Sequence, residues 1–311
     1  MSQNVALVFP GQGSQAQGMI SDFYDAFNEV RETFQEAHTA LGYDLWDIIS
    51  NDPGKLSQTE YTQPALLAAS VAILRVLKNK LMLVPNFLAG HSLGEYSALV
   101  AAEAIAFEDA VRLVSLRGQY MQTAVPAGVG AVSAILGLAD DDVVALCRQV
   151  AENEVVCAVN FNAPGQVVIA GHIKAVERAN LLAKEKGAKK TQMLPVSVPV
   201  HCELMKPAGE KLAEALSSIK VVSPKLTVLH NADVSIHNDP DEIKNILVKQ
   251  IYSPVRWSES VSAMHSKGVE TFVEIGAGKV LTGLAKRIAK GATLHNTANI
   301  DAFENLLSEL S

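Results

Sequence analysis

The chain has 311 residues, 49% of them hydrophobic, which is enough to bury a large core and excludes a disordered chain; at roughly 150 residues per domain it suggests two compact units. A formal net charge of -7 excludes a general nucleic-acid binder, because phosphate attraction needs a basic face. Cys147, Cys157 and Cys202 are odd in number and lack metal-ligand spacing, so neither a disulfide framework nor a metal site is expected, and a reducing, cytoplasmic compartment is.

The apolar run at 5–9 follows no basic segment, so it is expected to be a buried strand and not a signal peptide. Helical patterns over 21–41 and 64–77 come next, then a strand at 86–90 and a helix that includes 111–117. The uncharged stretch 118–139 is long enough to span a bilayer, but Pro126, several glycines, Gln119, Gln122 and Thr123 predict a loop leading into a strand, and no membrane association. Such alternation of short apolar runs and helices favours an α/β architecture with a parallel sheet.

Between 128 and 196 the rhythm shortens to a strand at 131–138, a helix at 140–151, strands at 155–159 and 166–170, a helix at 176–186 and a strand at 191–196. That order is the split pattern of a ferredoxin-like unit. Residues 128–196 are therefore expected to form a small domain inserted into a large α/β domain made of 1–127 and 197–311, with the site in the cleft between them. Helices at 203–216 and 241–251 and a strand at 270–275 return to the large unit.

Gly90-His91-Ser92-Leu93-Gly94 matches G-x-S-x-G and stands where that motif acquires meaning, after an extended apolar run and before a helix-compatible segment. A sharp strand-to-helix turn projects the serine oxygen, and the helix amino terminus favours a developing anion. Three fixed positions also arise by chance, in which case Ser92 merely caps a helix. A serine hydroxyl needs a neighbouring base, and His201, closing the extended 195–200 segment ahead of a helix, is the best placed of the histidines. No acid is obvious between Ser92 and His201, which leaves a dyad oriented by a carbonyl or a third member after His201. Gly11-Gln12-Gly13 lacks a glycine at 16 and is no dinucleotide loop; Gly276-Ala277-Gly278-Lys279 ends in Val280 and is no Walker loop.

Gly11-Gln12-Gly13-Ser14-Gln15, Thr62-Gln63-Pro64-Ala65, Gly90-His91-Ser92-Leu93-Gly94-Glu95-Tyr96, Arg117-Gly118, Asn162-Ala163-Pro164-Gly165-Gln166, Pro199-Val200-His201 and Glu274-Ile275-Gly276 run in order along nearly the whole chain. Together they closely resemble the malonyl-CoA:acyl carrier protein transacylases of bacterial fatty-acid synthesis. The resemblance implies an α/β-hydrolase-like large domain carrying an inserted ferredoxin-like small domain. It implies Ser92 as nucleophile, His201 as its base, the Gln250 main-chain carbonyl as the group that orients the imidazole, and the backbone N–H groups of Gln12 and Leu93 as the oxyanion hole. One such donor contributes about 3 kcal/mol of transition-state stabilisation.

Arg117 carries the specificity argument. Malonyl bears a free carboxylate, which a guanidinium fork can hold through both oxygens in a dry cleft, and neutral acyl chains leave that buried charge unpaired. Gln63, His91, Asn160, Asn162, Gln166 and Val200 match positions that line or brace the family site. Val200 stands where serine or phenylalanine is expected, which leaves acyl-size selectivity as the open point. Malonyl-CoA is the implied substrate, with no permanently bound cofactor or metal, and an acidic acyl carrier protein is the implied partner of a monomeric cytoplasmic enzyme. Two basic stretches could receive that carrier: 184–190, and Lys279 with Lys286, Arg287 and Lys290. A serine esterase or thioesterase, a polyketide acyltransferase and a non-catalytic docking scaffold are the competing readings.

Overall fold

A computed structural model describes residues 4–196 and 198–310; Ser197, expected to open the second segment of the large unit, and the expected outer ends 1–3 and 311 lie outside the described residues. Five strands, β1 (Val5–Phe9), β2 (Phe87–Gly90), β7 (Val228–Leu229), β8 (Thr271–Glu274) and β9 (Thr293–Asn296), form a wholly parallel sheet in the order β7-β2-β1-β8-β9. The other four, β3 (Gly130–Leu136), β4 (Val156–Ala163), β5 (Gln166–His172) and β6 (Lys190–Met193), form an antiparallel sheet in the order β4-β5-β3-β6. With helices Asp140–Val150 and Ile173–Glu185 as its connections, this is the expected ferredoxin-like arrangement.

Both faces of the parallel sheet are covered, as parallel sheets require. Along β1, Val5, Leu7 and Phe9 join the core formed with helices Thr59–Lys80, Gly94–Ala101 and Phe107–Thr123, while Ala6 and Val8 point to the opposite core around Trp257, Val261, Met264 and Leu281. The antiparallel sheet packs one face against its own two helices through Ile135, Val143, Leu146, Ile169 and Val176. Its other face, Val132, Val159, Val168 and Ala170, packs on Cys202, the residue after His201. The sheet is therefore laid directly over the histidine loop, and Val255 ties it further, accepting from Phe161 N–H at 3.0 Å and donating to the Val159 carbonyl at 2.8 Å.

Several elements differ from their expected limits for local reasons. The helix expected over 21–41 is two helices, Ser21–Ala26 and Asn28–Leu41, separated by extended Phe27, whose ring packs near Phe23 and Phe303. Arg31 Nη1 donates to the carbonyls of Tyr24 (2.6 Å) and Asp25 (3.0 Å) near that break. The helix expected to begin at Pro64 begins at Thr59 and tolerates the proline inside it. Proline cannot donate to the carbonyl four residues back; that carbonyl, of Glu60, instead accepts from Ser115 Oγ at 3.4 Å. Gly118 lets helix Phe107–Thr123 cross here, since a Cβ on it would lie 2.6 Å from the Thr59 carbonyl oxygen. The close crossing brings Arg117 beside Gln63. The strand expected over 191–196 is β6, Lys190–Met193, and Leu194 and Val196 beyond it line the site cavity instead. Among the described residues no helix is long and apolar enough to cross a membrane.

Candidate active site

In the register of β1 and β2, Phe9 lies opposite Gly90, so both strands end at the same level and the segments that follow them meet above the sheet. This is the crevice at the carboxyl ends of parallel strands where open α/β sheets place ligands. The approach is tight: a Cβ on Gly11 would lie 2.3 Å from the His91 carbonyl oxygen, and one on Gly94 would lie 2.0 Å from that of Phe9. Ser92 sits at the top of the turn with a left-handed backbone, φ 53, just before helix Gly94–Ala101. For a residue with a Cβ that conformation costs about 1–2 kcal/mol. Three hydrogen bonds hold it: Ser92 N–H donates to Asn231 Oδ1 at 2.7 Å, and its carbonyl accepts from Gln250 Nε2 at 2.8 Å and from Glu95 N–H at 3.2 Å.

Ser92 Oγ lies 2.7 Å from His201 Nε2, although the two residues are 109 positions apart. His201 Nδ1 lies 2.8 Å from the Gln250 main-chain oxygen, so Nδ1 carries the proton and Nε2 is left to accept from the serine. The His201 backbone is also left-handed, φ 58, and its N–H donates to the Ile251 carbonyl at 3.1 Å. Burial, and next the Arg117 cation, push the His201 imidazole down to about 3, so the resting base is neutral. Burial likewise lowers His91, whose Nε2 lies 2.8 Å from Asn162 Oδ1 and whose ring lies 5.6 Å from that of Trp257.

Arg117 is only 1% exposed, yet among the described residues it pairs with no carboxylate. Its Nη1 donates to Gln63 Oε1 at 2.8 Å, its Nη2 to Gln250 Oε1 at 2.9 Å and to Ser92 Oγ at 3.2 Å, and its guanidinium lies 5.5 Å from the Tyr96 ring centre. All its partners are neutral, and a buried charge in that condition is poised for an anion. A cavity of about 110 Å³ opens at Ser92 and is lined by Gln12, His91, Leu93, Arg117, Met121, Val132, Asn160, Val168, Leu194, Val196, Val200 and His201. Asn160 Oδ1 is buried there without a partner, and the N–H groups of Gln12 and Leu93 have no acceptor among the described residues.

Of the residues expected at the site, Ser92, His201, Gln250, Arg117, Gln63, Gln12, Leu93, His91, Asn160 and Val200 are gathered around this cavity, with Asn162 behind His91. Gln166 is not. It lies at the start of β5 with its Oε1 on Arg287 Nη1, in a separate surface cleft that also includes Lys189. The two basic stretches thus meet at one cleft, through Lys189 and Arg287. Sequence reasoning missed Asn231, His230 and the buried carboxylate of Glu95. Glu95 lay in plain view one turn past the serine; Asn231 follows a strand of two residues, too short to register as a pattern.

Residues 6–300 match the family model of the acyl transferase domain. The malonyl CoA-acyl carrier protein transacylase of Haemophilus influenzae is 53% identical over 307 residues, covering 97% of this chain and 98% of that protein. The solved structure of the malonyl CoA-acyl carrier protein transacylase from Coxiella burnetii is 45% identical with a TM-score of 0.98, covering 100% of this chain and 98% of the other. A malonyl-transacylase solved in complex with its type II PKS acyl-carrier protein is 49% identical with a TM-score of 0.97, covering 99% of this chain and 100% of that one.

Proposed function

The chain belongs to the malonyl CoA-acyl carrier protein transacylases, and from that premise we propose that Ser92, His201 and Arg117 carry the reaction. The enzyme moves malonyl from malonyl-CoA to the phosphopantetheine thiol of acyl carrier protein through a malonyl-serine intermediate. The observation that carries the assignment of residues is the convergence on one atom: Ser92 Oγ is in reach of a neutral imidazole at 2.7 Å and of a buried, anion-free guanidinium at 3.2 Å.

In this reading the malonyl carboxylate takes the fork of Arg117, which fixes the thioester carbonyl over Ser92. His201 Nε2 accepts the serine proton as Oγ attacks, and the Gln250 carbonyl steadies the imidazolium that forms. The oxyanion is received by the free N–H groups of Gln12 and Leu93. His201 returns its proton to the departing CoA sulfur, leaving the malonyl ester. The carrier thiol then attacks that ester by the same steps in reverse, which gives ping-pong kinetics. Asn160, His91 and Val200 line the acyl and pantetheine path, with Gln63 and Asn162 bracing Arg117 and His91. The reading includes the division into 1–127 with 197–311 and an inserted 128–196, a monomeric cytoplasmic enzyme, and no permanently bound cofactor. The meeting of Lys189 and Arg287 at one cleft supports docking of an acidic carrier there.

Peptide mass spectrometry after incubation with malonyl-CoA alone tests this. A malonyl adduct confined to the Ser92 peptide, and lost in Ser92→Ala, is expected; continued transfer by Ser92→Ala would overturn it.

A further inference from the structure

Glu95 is fully buried and takes no part in the chemistry described above, yet its side chain bonds Asn231 and Gln250, the two residues that between them hold the serine turn, His201 and Arg117. Its Oε2 accepts from the Asn231 N–H at 2.9 Å and from Gln250 Nε2 at 3.1 Å; its Oε1 accepts from His230 Nδ1 at 2.7 Å. Asn231 in turn clamps the serine turn from below, its Nδ2 donating to the Gly90 carbonyl at 2.7 Å while its Oδ1 holds Ser92 N–H. Gln250 touches all three proposed groups: Ser92 through its Nε2, Arg117 through its Oε1 and His201 through its main-chain oxygen.

The chemistry of the carboxylate decides how Gln250 must lie. A carboxylate only accepts, so the Nε2 end of the Gln250 amide has to face Glu95, and the Oε1 end is thereby turned to Arg117. Were the amide reversed, its NH2 would meet the guanidinium, two donors face to face, and its oxygen would meet the carboxylate. Glu95 is also the anion that balances Arg117 at one remove, through Gln250, without occupying the fork that the substrate needs. A direct Glu–Arg pair would satisfy the guanidinium and close the site to a diacid.

We infer that Glu95 is a positioning residue for malonyl selectivity, fixing the Gln250 amide so that Arg117 is held beside Ser92 by neutral partners, with its fork claimed by no carboxylate. This rests on the reading of Arg117 as the malonyl carboxylate site. The inference assigns Glu95 no contact with substrate; it acts through Gln250.

Selectivity, measured as the ratio of kcat/KM for malonyl-CoA to that for acetyl-CoA, tests it, because a ratio does not change when part of a preparation is misfolded. Glu95→Gln keeps the size of the side chain but adds a donor that can oppose Gln250 Nε2. The ratio should fall by about tenfold or more, the scale of one charge-assisted hydrogen bond. Gln250→Met deletes the amide but keeps the main-chain carbonyl that holds His201, and should lower the ratio similarly; the double variant should fall no further than either single one. Arg117→Ala is the control for the underlying reading. A collapse of the ratio in Arg117→Ala with an unchanged ratio in either Glu95→Gln or Gln250→Met would overturn the role of Glu95 alone. An unchanged ratio in Arg117→Ala would remove the carboxylate reading itself. Should Glu95→Gln fail to fold, Gln250→Met still decides, since it removes the link through which Glu95 is said to act.

Discussion

The imidazole of His201 is oriented by the main-chain oxygen of Gln250, 2.8 Å from Nδ1, and not by a carboxylate. A carbonyl fixes the tautomer as well as an acid does, but it brings no negative charge to favour the imidazolium. The strongest charge near His201 is the cation of Arg117, which acts in the opposite sense. The resting imidazole is thus neutral and weakly basic; on the function proposed above, a malonyl carboxylate seated on Arg117 would remove part of that opposition.

That balance gives a pH dependence of definite sign. With the folded imidazole down at about 3, a neutral serine-directed reagent such as a sulfonyl fluoride should inactivate the enzyme at a rate that stays level as pH falls from 8 to about 5. An ordinary imidazole would show its inflection near 6.5. Arg117→Ala removes the opposing charge and should move the inflection upward. An inflection near 6.5 in the unaltered enzyme, or one that moves downward in Arg117→Ala, would contradict the arrangement. The same shift bears on stability: between about 3 and about 6.5 the unfolded chain holds the extra proton, so the stability linked to His201 is complete above about 6.5 and is lost as pH falls toward about 3.

The glycines of the serine turn should be intolerant for a steric reason. A Cβ on Gly94 would lie 2.0 Å from the Phe9 carbonyl oxygen, and one on Gly90 would lie 1.9 Å from the Gly94 carbonyl carbon. These neighbours are main-chain atoms of a sheet and its adjoining helix, so no flexible side chain can move aside. Gly94→Ala should therefore lower unfolding stability by roughly 3 kcal/mol, the upper range for overpacking, and separate Ser92 from its partners. Urea denaturation followed by circular dichroism measures the first effect. A variant as stable as the parent would mean that β1 and the helix are free to part.

How much of this was legible in the sequence depends on the range of each interaction. The serine turn was readable because strand, glycines and helix are contiguous, and the split βαββαβ rhythm was readable because both helices carry one apolar face. The last third was read poorly. Helices Trp257–Ser266, Val280–Ile288 and Ile300–Leu310 went unassigned, as did β9, a short edge strand, Thr293-Leu294-His295-Asn296, with too little apolar alternation to register. Gln250 shows a different limit: the atom that orients His201 is a main-chain oxygen, which any residue type would supply, so no side-chain pattern marks it. Gln166 fails for the opposite reason: it shares a face of β5 with Val168, which lines the cavity, but stands at the start of the strand in the neighbouring cleft, and a motif match does not say where along a strand the cavity ends.

Val200 should set acyl size. It lines the cavity at Ser92 together with Met121 and Val196, and the space there is small, about 110 Å³. Val200→Ala removes two carbons from that wall and should raise kcat/KM for methylmalonyl-CoA relative to malonyl-CoA, by about tenfold or more on the scale expected of one methylene in an apolar pocket. Initial rates with the two thioesters measure it. No change in the ratio would place the methyl group of a branched substrate against another wall.

The cysteines should differ sharply in reactivity. Burial pushes the Cys147 thiol up to about 12, and Cys202 is raised by its contact with the Cys157 sulfur and by burial. The Cys202 S–H donates to the Pro199 carbonyl at 3.0 Å. Cys157 is lowered by the same contact and is partly exposed at the edge strand β4. Thiolate is the reactive form, so iodoacetamide on the native enzyme should modify Cys157 first and leave Cys147 and Cys202 until the chain unfolds. Peptide mapping at short reaction times reads the order directly. Early labelling of Cys202 would mean that the loop carrying His201 opens away from the antiparallel sheet, against the packing of Val132, Val159 and Val168 on that residue.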